Sequence, residues 1–252
     1  MLTGMPSPVV VTGGSRGIGA ATALLLAFRG HPVCLSYVRD ADAADDVVRG
    51  CVAAGVTAVA VRADVAVEAD VVGLFETAQD RLGPIGGLVN NAGVVDRATR
   101  VQDMSAARIE RMMAINVTGA FLCAREAVRR MSTANGGDGG AIVNVSSRAA
   151  VLGSAGEYVD YAASKAAVDT LTVGLSREVA TEGIRVNAVR PGLIDTDIHA
   201  DSGDARRLDR LAPSIPLQRP GRPEEVAAAI AWLLGDEASY VTGSFIDVGG
   251  GR

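Results

Sequence analysis

An apolar, β-branched run from Pro8 to Val11 leads directly into TGGSRGIG, Thr12 to Gly19, and that octet opens the apolar stretch Ala20 to Phe28. From Ile18 the apolar residues Ala21, Leu24, Leu25 and Phe28 fall at helical spacing. Strand, glycine turn and helix in immediate succession constrain the fold strongly. Gly13, Gly17 and Gly19 permit a tight turn and close backbone approach, and a helix start offers N–H groups with no partner of their own. Together they form a seat for the pyrophosphate of a dinucleotide. A glycine turn with a purely conformational role is the alternative, and the flanking strand and helix argue against it.

Short β-rich runs then alternate with helical patterns. The runs are Pro32 to Tyr37, Thr57 to Arg62, Gly87 to Asn90, Ala141 to Ser146, Arg185 to Val189 and Ser244 to Val248. Between them Ala44, Val47, Val48 and Cys51 share one helical face, as do Val71, Leu74, Phe75, Ala78 and Leu82. Pro223 opens a late helix with Val226, Ile230 and Leu233 or Leu234 facing inward. The pattern predicts an α/β fold of the Rossmann type: a doubly wound, parallel, seven-stranded sheet with helices on both faces and its ligand beyond the carboxyl ends of the strands. At 252 residues and 48% hydrophobic content, without a composition break, residues 1–252 read as a single domain. NGGDGG, Asn135 to Gly140, reads as a flexible surface turn between a helix and a strand.

Several function classes are disfavoured. The net charge is −5 and the arginines are scattered among acids, so nucleic acid is not an expected partner. Cys34, Cys51 and Cys123 have no CxxC spacing, and the chain has two histidines. Neither a disulfide framework nor a metal site is therefore expected, and reduced cytoplasm suits this usage. No stretch approaches the roughly 20 apolar residues of a membrane span, so a soluble chain without membrane partners is expected.

Tyr161 and Lys165 stand four apart in YAASKAAVDTL and share a helix face. A free tyrosine titrates near 10, and a neighbouring ammonium favours its phenolate, so Lys165 is placed to tune Tyr161 as an acid or base. Ser147 directly follows the apolar strand AIVNVS and its hydroxyl is placed to hold a substrate oxygen; Ser146 competes for that role. Tyr158 competes with Tyr161 but has no lysine four residues on. In isolation, a half-buried tyrosine and a solvated lysine would explain the pair equally well.

The order TGGSRGIG, Asp64, NNAG at Asn90 to Gly93, Asn116, Ser146-Ser147, YAASK and Pro191-Gly192 followed by Thr196 resembles the short-chain dehydrogenase/reductase family over nearly the whole chain. The resemblance implies a catalytic set of Asn116, Ser147, Tyr161 and Lys165, with Asn116 ordering a water in a proton relay to Lys165. It also implies cofactor contacts from Gly13, Ser15, Arg16, Gly17, Ile18 and Gly19 in the turn, Tyr37 and Arg39 after the second strand, and Asp64 and Val65 after the third. Asn91, Ala92 and Gly93 would follow from the fourth strand, and Pro191, Gly192, Ile194 and Thr196 from the sixth, with Tyr161 and Lys165 completing the set. Asn90 is as well suited to bracing the sheet as to touching cofactor. A homotetramer is implied, with the helices near Asn116 and Tyr161 between subunits and GSFIDVGGGR at another interface. The GEYVDYAASK form is similar to bacterial oxidoreductases of the glucose 1-dehydrogenase and 3-oxoacyl-ACP reductase types. The segment between Ser147 and Tyr161 is one residue longer than in the commonest members.

Cofactor choice turns on the end of the second strand, Ser36-Tyr37-Val38-Arg39. An NAD site usually carries an acid there for the ribose hydroxyls. None stands at Tyr37, whereas Arg16 and Arg39 suit a 2′-phosphate, so NADP is favoured and NAD remains open. Asp40 more naturally caps the next helix. Residues 195–220 read as a substrate lid in which Arg206, Arg207 and Arg210 alternate with Asp201, Asp204 and Asp209; His199 is a loop residue. The expected activity is hydride transfer between nicotinamide and a small carbonyl or secondary alcohol. A 3-oxoacyl-thioester reductase, with Arg129, Arg130 and Arg177 as carrier-docking candidates, and a sugar dehydrogenase stay open as specific activities. A non-catalytic NADP sensor on the same fold would be marked by loss of Tyr161, Lys165 or Ser147, and all three are present.

Overall fold

The computed structural model describes residues 6–196 and 207–252. In chain order it contains β1 (Val9–Val11), α1 (Gly17–Phe28), β2 (Val33–Tyr37), α2 (Ala41–Ala53), β3 (Ala58–Arg62), α3 (Glu68–Leu82) and β4 (Gly87–Asn90). There follow α4 (Ala106–Met113), a π-helical turn (Ala114–Thr118), α5 (Gly119–Met131), β5 (Gly140–Val145), α6 (Ala149–Leu152) and α7 (Val159–Glu178). The last part holds β6 (Ile184–Pro191), α8 (Arg207–Leu211), α9 (Pro223–Leu234) and β7 (Phe245–Val248).

All seven strands are parallel, in the order β3-β2-β1-β4-β5-β6-β7. The order reverses at β1, whose two neighbours are β2 and β4: Val9 aligns with Val33 on one side and Gly87 on the other. Such a reversal opens a crevice at the strands' carboxyl ends. Both faces are covered, which is why the strands are apolar runs rather than alternating ones. Val9, Val11, Leu35, Val89 and Val143 pack toward α1, α2 and α9. Val10, Cys34, Leu88 and Ile142 pack toward α3 and α5.

The predicted inward faces of α2, α3 and α9 hold, with Leu233 rather than Leu234 buried in the last. For α1 the spacing marks a helix without marking its buried row. Its buried residues are Gly19, Thr22, Ala23, Leu26 and Ala27, while Leu24 is 41% and Phe28 82% exposed. This helix is apolar all round, so spacing could not single out a face; the small Ala23 and Ala27 allow it to approach the sheet closely.

The NGGDGG turn is also not a slack spacer. A Cβ at Gly139 would lie 2.5 Å from the Gly183 carbonyl oxygen, and one at Gly140 2.2 Å from that of Gly86. Backbone packs on backbone there, a contact open to glycine alone.

Candidate functional site

Residues from six strand ends meet in the crevice. At β1, Thr12 Oγ1 accepts the N–H groups of Asn91 and Ala92, each at 2.9 Å. Asn91 Nδ2 donates back to the carbonyls of Thr12, at 2.8 Å, and Gly13, at 3.0 Å. The NNAG segment thereby holds the glycine turn from one side, and Ser36 Oγ accepts the Gly13 N–H from the other at 3.1 Å. Gly13 and Gly17 have φ of +63° and +54°. The side chain of Arg16, at the N-cap of α1, makes no capping bond, and the first-turn N–H groups of a helix have no partner within it. This cradle fits a dinucleotide pyrophosphate.

Tyr37 ends β2 half-buried, and Arg39 follows it exposed. Asp40 caps α2 by accepting the Ala43 N–H at 2.9 Å. Asp64 is half-buried and accepts the Ala66 N–H at 3.0 Å. Val65 is buried beneath Gly119 at the start of α5. Asn90 is a bracing residue: its amide donates to the Ala120 carbonyl at 2.9 Å and to Asn144 Oδ1 at 3.2 Å. Pro191 accepts the Arg148 N–H, Gly192 donates to Val248, and Ile194 bridges to Gly221. Thr196 lies beside Gly17, where a Cβ would come within 3.3 Å of Thr196 Cγ2.

The candidate proton-handling groups lie just past β5, in the π-helical turn and on α7. Successive residues at a strand end point opposite ways, which separates the two serines. Ser146 Oγ donates to the Lys165 carbonyl at 3.2 Å and fastens α7 to the sheet. Ser147 stands close enough to the Tyr161 phenol to draw its titration down. Tyr158 sits buried at the N-cap of α7, in the field of Arg108. Lys165 Nζ donates to the Val145 carbonyl at 2.8 Å and lies 5.8 Å from the Tyr161 ring centroid.

Burial pushes Tyr161 above the usual tyrosine value, partly offset by Ser147. Burial also pushes Lys165 down to about 8, opposed by Asp169 four residues on. The expected lowering of Tyr161 by Lys165 is not found: desolvation prevails, and the contribution that opposes it comes from Ser147. A phenol held up in this way is a proton donor near neutrality.

Asn116 lies in the π-helical turn, a distortion frequent at functional sites. Its Oδ1 accepts the Val94 N–H at 2.8 Å, and its Nδ2 donates to the Val94 carbonyl at 2.9 Å and to Ser164 Oγ at 3.0 Å. A Cβ at Gly93 would lie 3.3 Å from both Asn116 Oδ1 and Lys165 Nζ. Thr12 and Ser164 are contributors that sequence reasoning missed; each stands inside a recognised motif, TGG and YAASK. Arg148, next to Ser147, donates Nε to the Arg252 carbonyl at 2.7 Å and pairs with Asp247, drawing the carboxyl end to the same corner.

Of the expected lid, His199, Asp201, Asp204 and Arg206 lie outside the described residues, as do the side chains of Arg207 and Asp209. Farther along, Ile215 is buried and Leu217 donates its N–H to the Gly250 carbonyl at 3.1 Å.

A family model described as enoyl-(acyl carrier protein) reductase matches residues 13–252. The uncharacterized oxidoreductase YgfF of Escherichia coli is 56% identical over 96% of this chain and 98% of its own. A short chain dehydrogenase from Burkholderia cenocepacia, solved in complex with NADP, superposes with a TM-score of 0.89 at 35% identity, covering 96% of each chain. The chain belongs to the short-chain dehydrogenase/reductase family. As a short-chain dehydrogenase/reductase it is an NAD(P)-dependent oxidoreductase with a small-molecule substrate. Another relative, cis-4-hydroxycyclohexanecarboxylate dehydrogenase of Sinomonas cyclohexanicum, is 44% identical over 96% of this chain and 94% of its own. Among the described residues of this short-chain dehydrogenase/reductase, no helix is long and apolar enough to cross a membrane.

Proposed function

We propose that this chain is an NADP-dependent reductase of small carbonyls, working reversibly on secondary alcohols, with Tyr161 as the group that exchanges the proton. The observation that carries this reading is the placement of Tyr161 beside Lys165, whose buried Nζ lies 5.8 Å from the Tyr161 ring centroid, with Ser147 close enough to the phenol to draw its titration down. The cofactor, when bound, supplies or accepts the hydride. Ser147 and Tyr161 polarise a carbonyl oxygen between them, Tyr161 gives the proton, and Lys165 and Asn116 carry the relay that restores it. The cradle residues of the glycine turn, with Asp64, Val65, Asn91 to Gly93 and Pro191 to Thr196, hold the dinucleotide.

NADP preference is supported by Arg16 and exposed Arg39, and by the commitment of Asp40 to its cap. The NADP bound to the Burkholderia relative agrees with it. A carrier-protein substrate is less well supported. Glu126 engages Arg129 at 2.8 Å and Arg130 at 2.5 Å, and the Arg130 guanidinium lies 5.5 Å from the Phe75 ring, so these cations serve the surface of α5. Residues 1–252 are proposed as one domain with a lid at 195–220, assembled as a cytoplasmic homotetramer. The exposed Phe121 of α5 and Ala163 of α7 suit an intersubunit face.

Paired titration with NADPH and NADH tests the cofactor reading, followed by turnover on ketones, cyclic hydroxy acids, 3-oxoacyl thioesters and sugars. Tighter NADPH binding with turnover of a small ketone or alcohol is expected. Tight binding with no turnover in either direction would overturn the catalytic reading in favour of a sensor.

A further inference from the structure

Arg108 of α4 and Asp160 of α7 form an ion pair that is nearly closed to water, with side chains 11% and 3% exposed. Arg108 Nε and Nη2 donate to the two carboxylate oxygens of Asp160, at 2.7 and 3.1 Å, and Nη1 donates to the Arg97 carbonyl at 2.6 Å. Two residues on, the Thr99 N–H donates to the Glu157 carbonyl at 2.9 Å. The loop between β4 and α4 is thus stitched at two points to the approach to α7. The start of the same loop is held by Asn116 through Val94. Asp96 and Tyr158 also face Arg108 and favour its cation.

A buried ion pair is a poor source of stability, because desolvation offsets its attraction. What the rigid fork of an arginine supplies is orientation. The side chain of Tyr158 makes no capping bond at the start of α7, and the fork reaches the helix at Asp160 in its first turn. Asp160 is the residue before Tyr161. We propose that Arg108 and Asp160 are positioning residues that hold the Tyr161 phenol against Ser147 and lock it to the loop at residues 94–99. The role rests on the reading of Tyr161 as the proton-exchanging group.

The test compares wild type with Arg108→Lys, which keeps the charge and loses the fork, and with the double variant Arg108→Met/Asp160→Leu. The double variant leaves no orphaned buried charge. In protein labelled at the tyrosine ring carbon that bears oxygen, with the Tyr161 resonance assigned from Tyr161→Phe, wild type is expected to show one narrow line. Both variants should broaden or split that line and bring its titration midpoint down toward the ordinary tyrosine value, as water reaches the ring. NADPH affinity should stay within about twofold, and kcat on a ketone that wild type reduces should fall about 10- to 100-fold. An unchanged Tyr161 line and midpoint in either folded variant would overturn the proposal, as would unchanged kcat. If wild type reduces nothing, the functional reading fails by itself, and the Tyr161 resonance still decides whether the pair positions the phenol.

Discussion

Lys165 donates its ammonium to the backbone carbonyl of Val145 at 2.8 Å, two residues before the serine that meets Tyr161. With Ser146 bonded to the Lys165 carbonyl, α7 and the end of β5 are joined by reciprocal polar contacts across the buried face. The result is a rigid mount on which the distance between Ser147 and Tyr161 depends on few rotatable bonds. Preorganisation of this kind is what makes a proton donor effective.

Tyr161→Phe removes one hydroxyl from this mount and leaves its packing. Turnover is expected to fall about 100- to 10,000-fold, the usual worth of general acid–base catalysis, with NADPH affinity within about twofold. Steady-state rates beside a fluorescence titration of cofactor check both parts.

Lys165 carries a pH signature. Its value falls from 10.5 to about 8 through burial. Below 8 the ammonium is charged both folded and unfolded, and its full desolvation opposes folding. That cost is relieved as pH rises from 8 to 10.5, and above 10.5 the group is neutral in both states. Wild type should therefore gain on Lys165→Met by roughly 3 kcal/mol across that window. Urea midpoints for both proteins on either side of the window measure it; a constant difference would mean that Lys165 is not depressed.

Legibility in the sequence follows the contrast between faces. The inward row of α3, Val71, Leu74, Phe75 and Ala78, stands out because Glu68, Asp70 and Arg81 mark the other side. Helix α1 offers no such contrast, and its apolar spacing does not single out the buried row. In the site, the Tyr161–Lys165 spacing and the glycine turn are local and therefore readable. The bond from Asn116 to Ser164 spans 48 residues, and that from Arg108 to Asp160 spans 52. No local pattern announces either. The π-helical turn at Asn116 likewise arises from packing, with no residue type that demands it.

Arg39→Ala addresses cofactor choice. A charge-assisted contact to a 2′-phosphate is worth about 1.5 to 3 kcal/mol, so NADPH affinity is expected to fall about 10- to 100-fold while NADH changes less than about twofold. Equal losses for both nucleotides would remove Arg39 from the phosphate site.

Two glycines separate the cradle from ordinary helix. A Cβ at Gly19 would stand 2.3 Å from the Gly13 carbonyl oxygen and 2.6 Å from Asn91 Nδ2. Gly19→Ala must therefore push the turn off Asn91 and break the two bonds that shape it. Overpacking of this kind costs about 1 to 3 kcal/mol, and both nucleotides should lose at least about 100-fold in affinity, because the shared pyrophosphate seat is what moves. Gly73, inside α3, has nothing within 4 Å of the point where a Cβ would stand. Gly73→Ala should instead add about 0.5 to 1 kcal/mol through helix propensity and leave both affinities untouched. Denaturant midpoints and nucleotide titrations on the two variants separate a backbone that must approach its ligand from one that merely lacks a side chain.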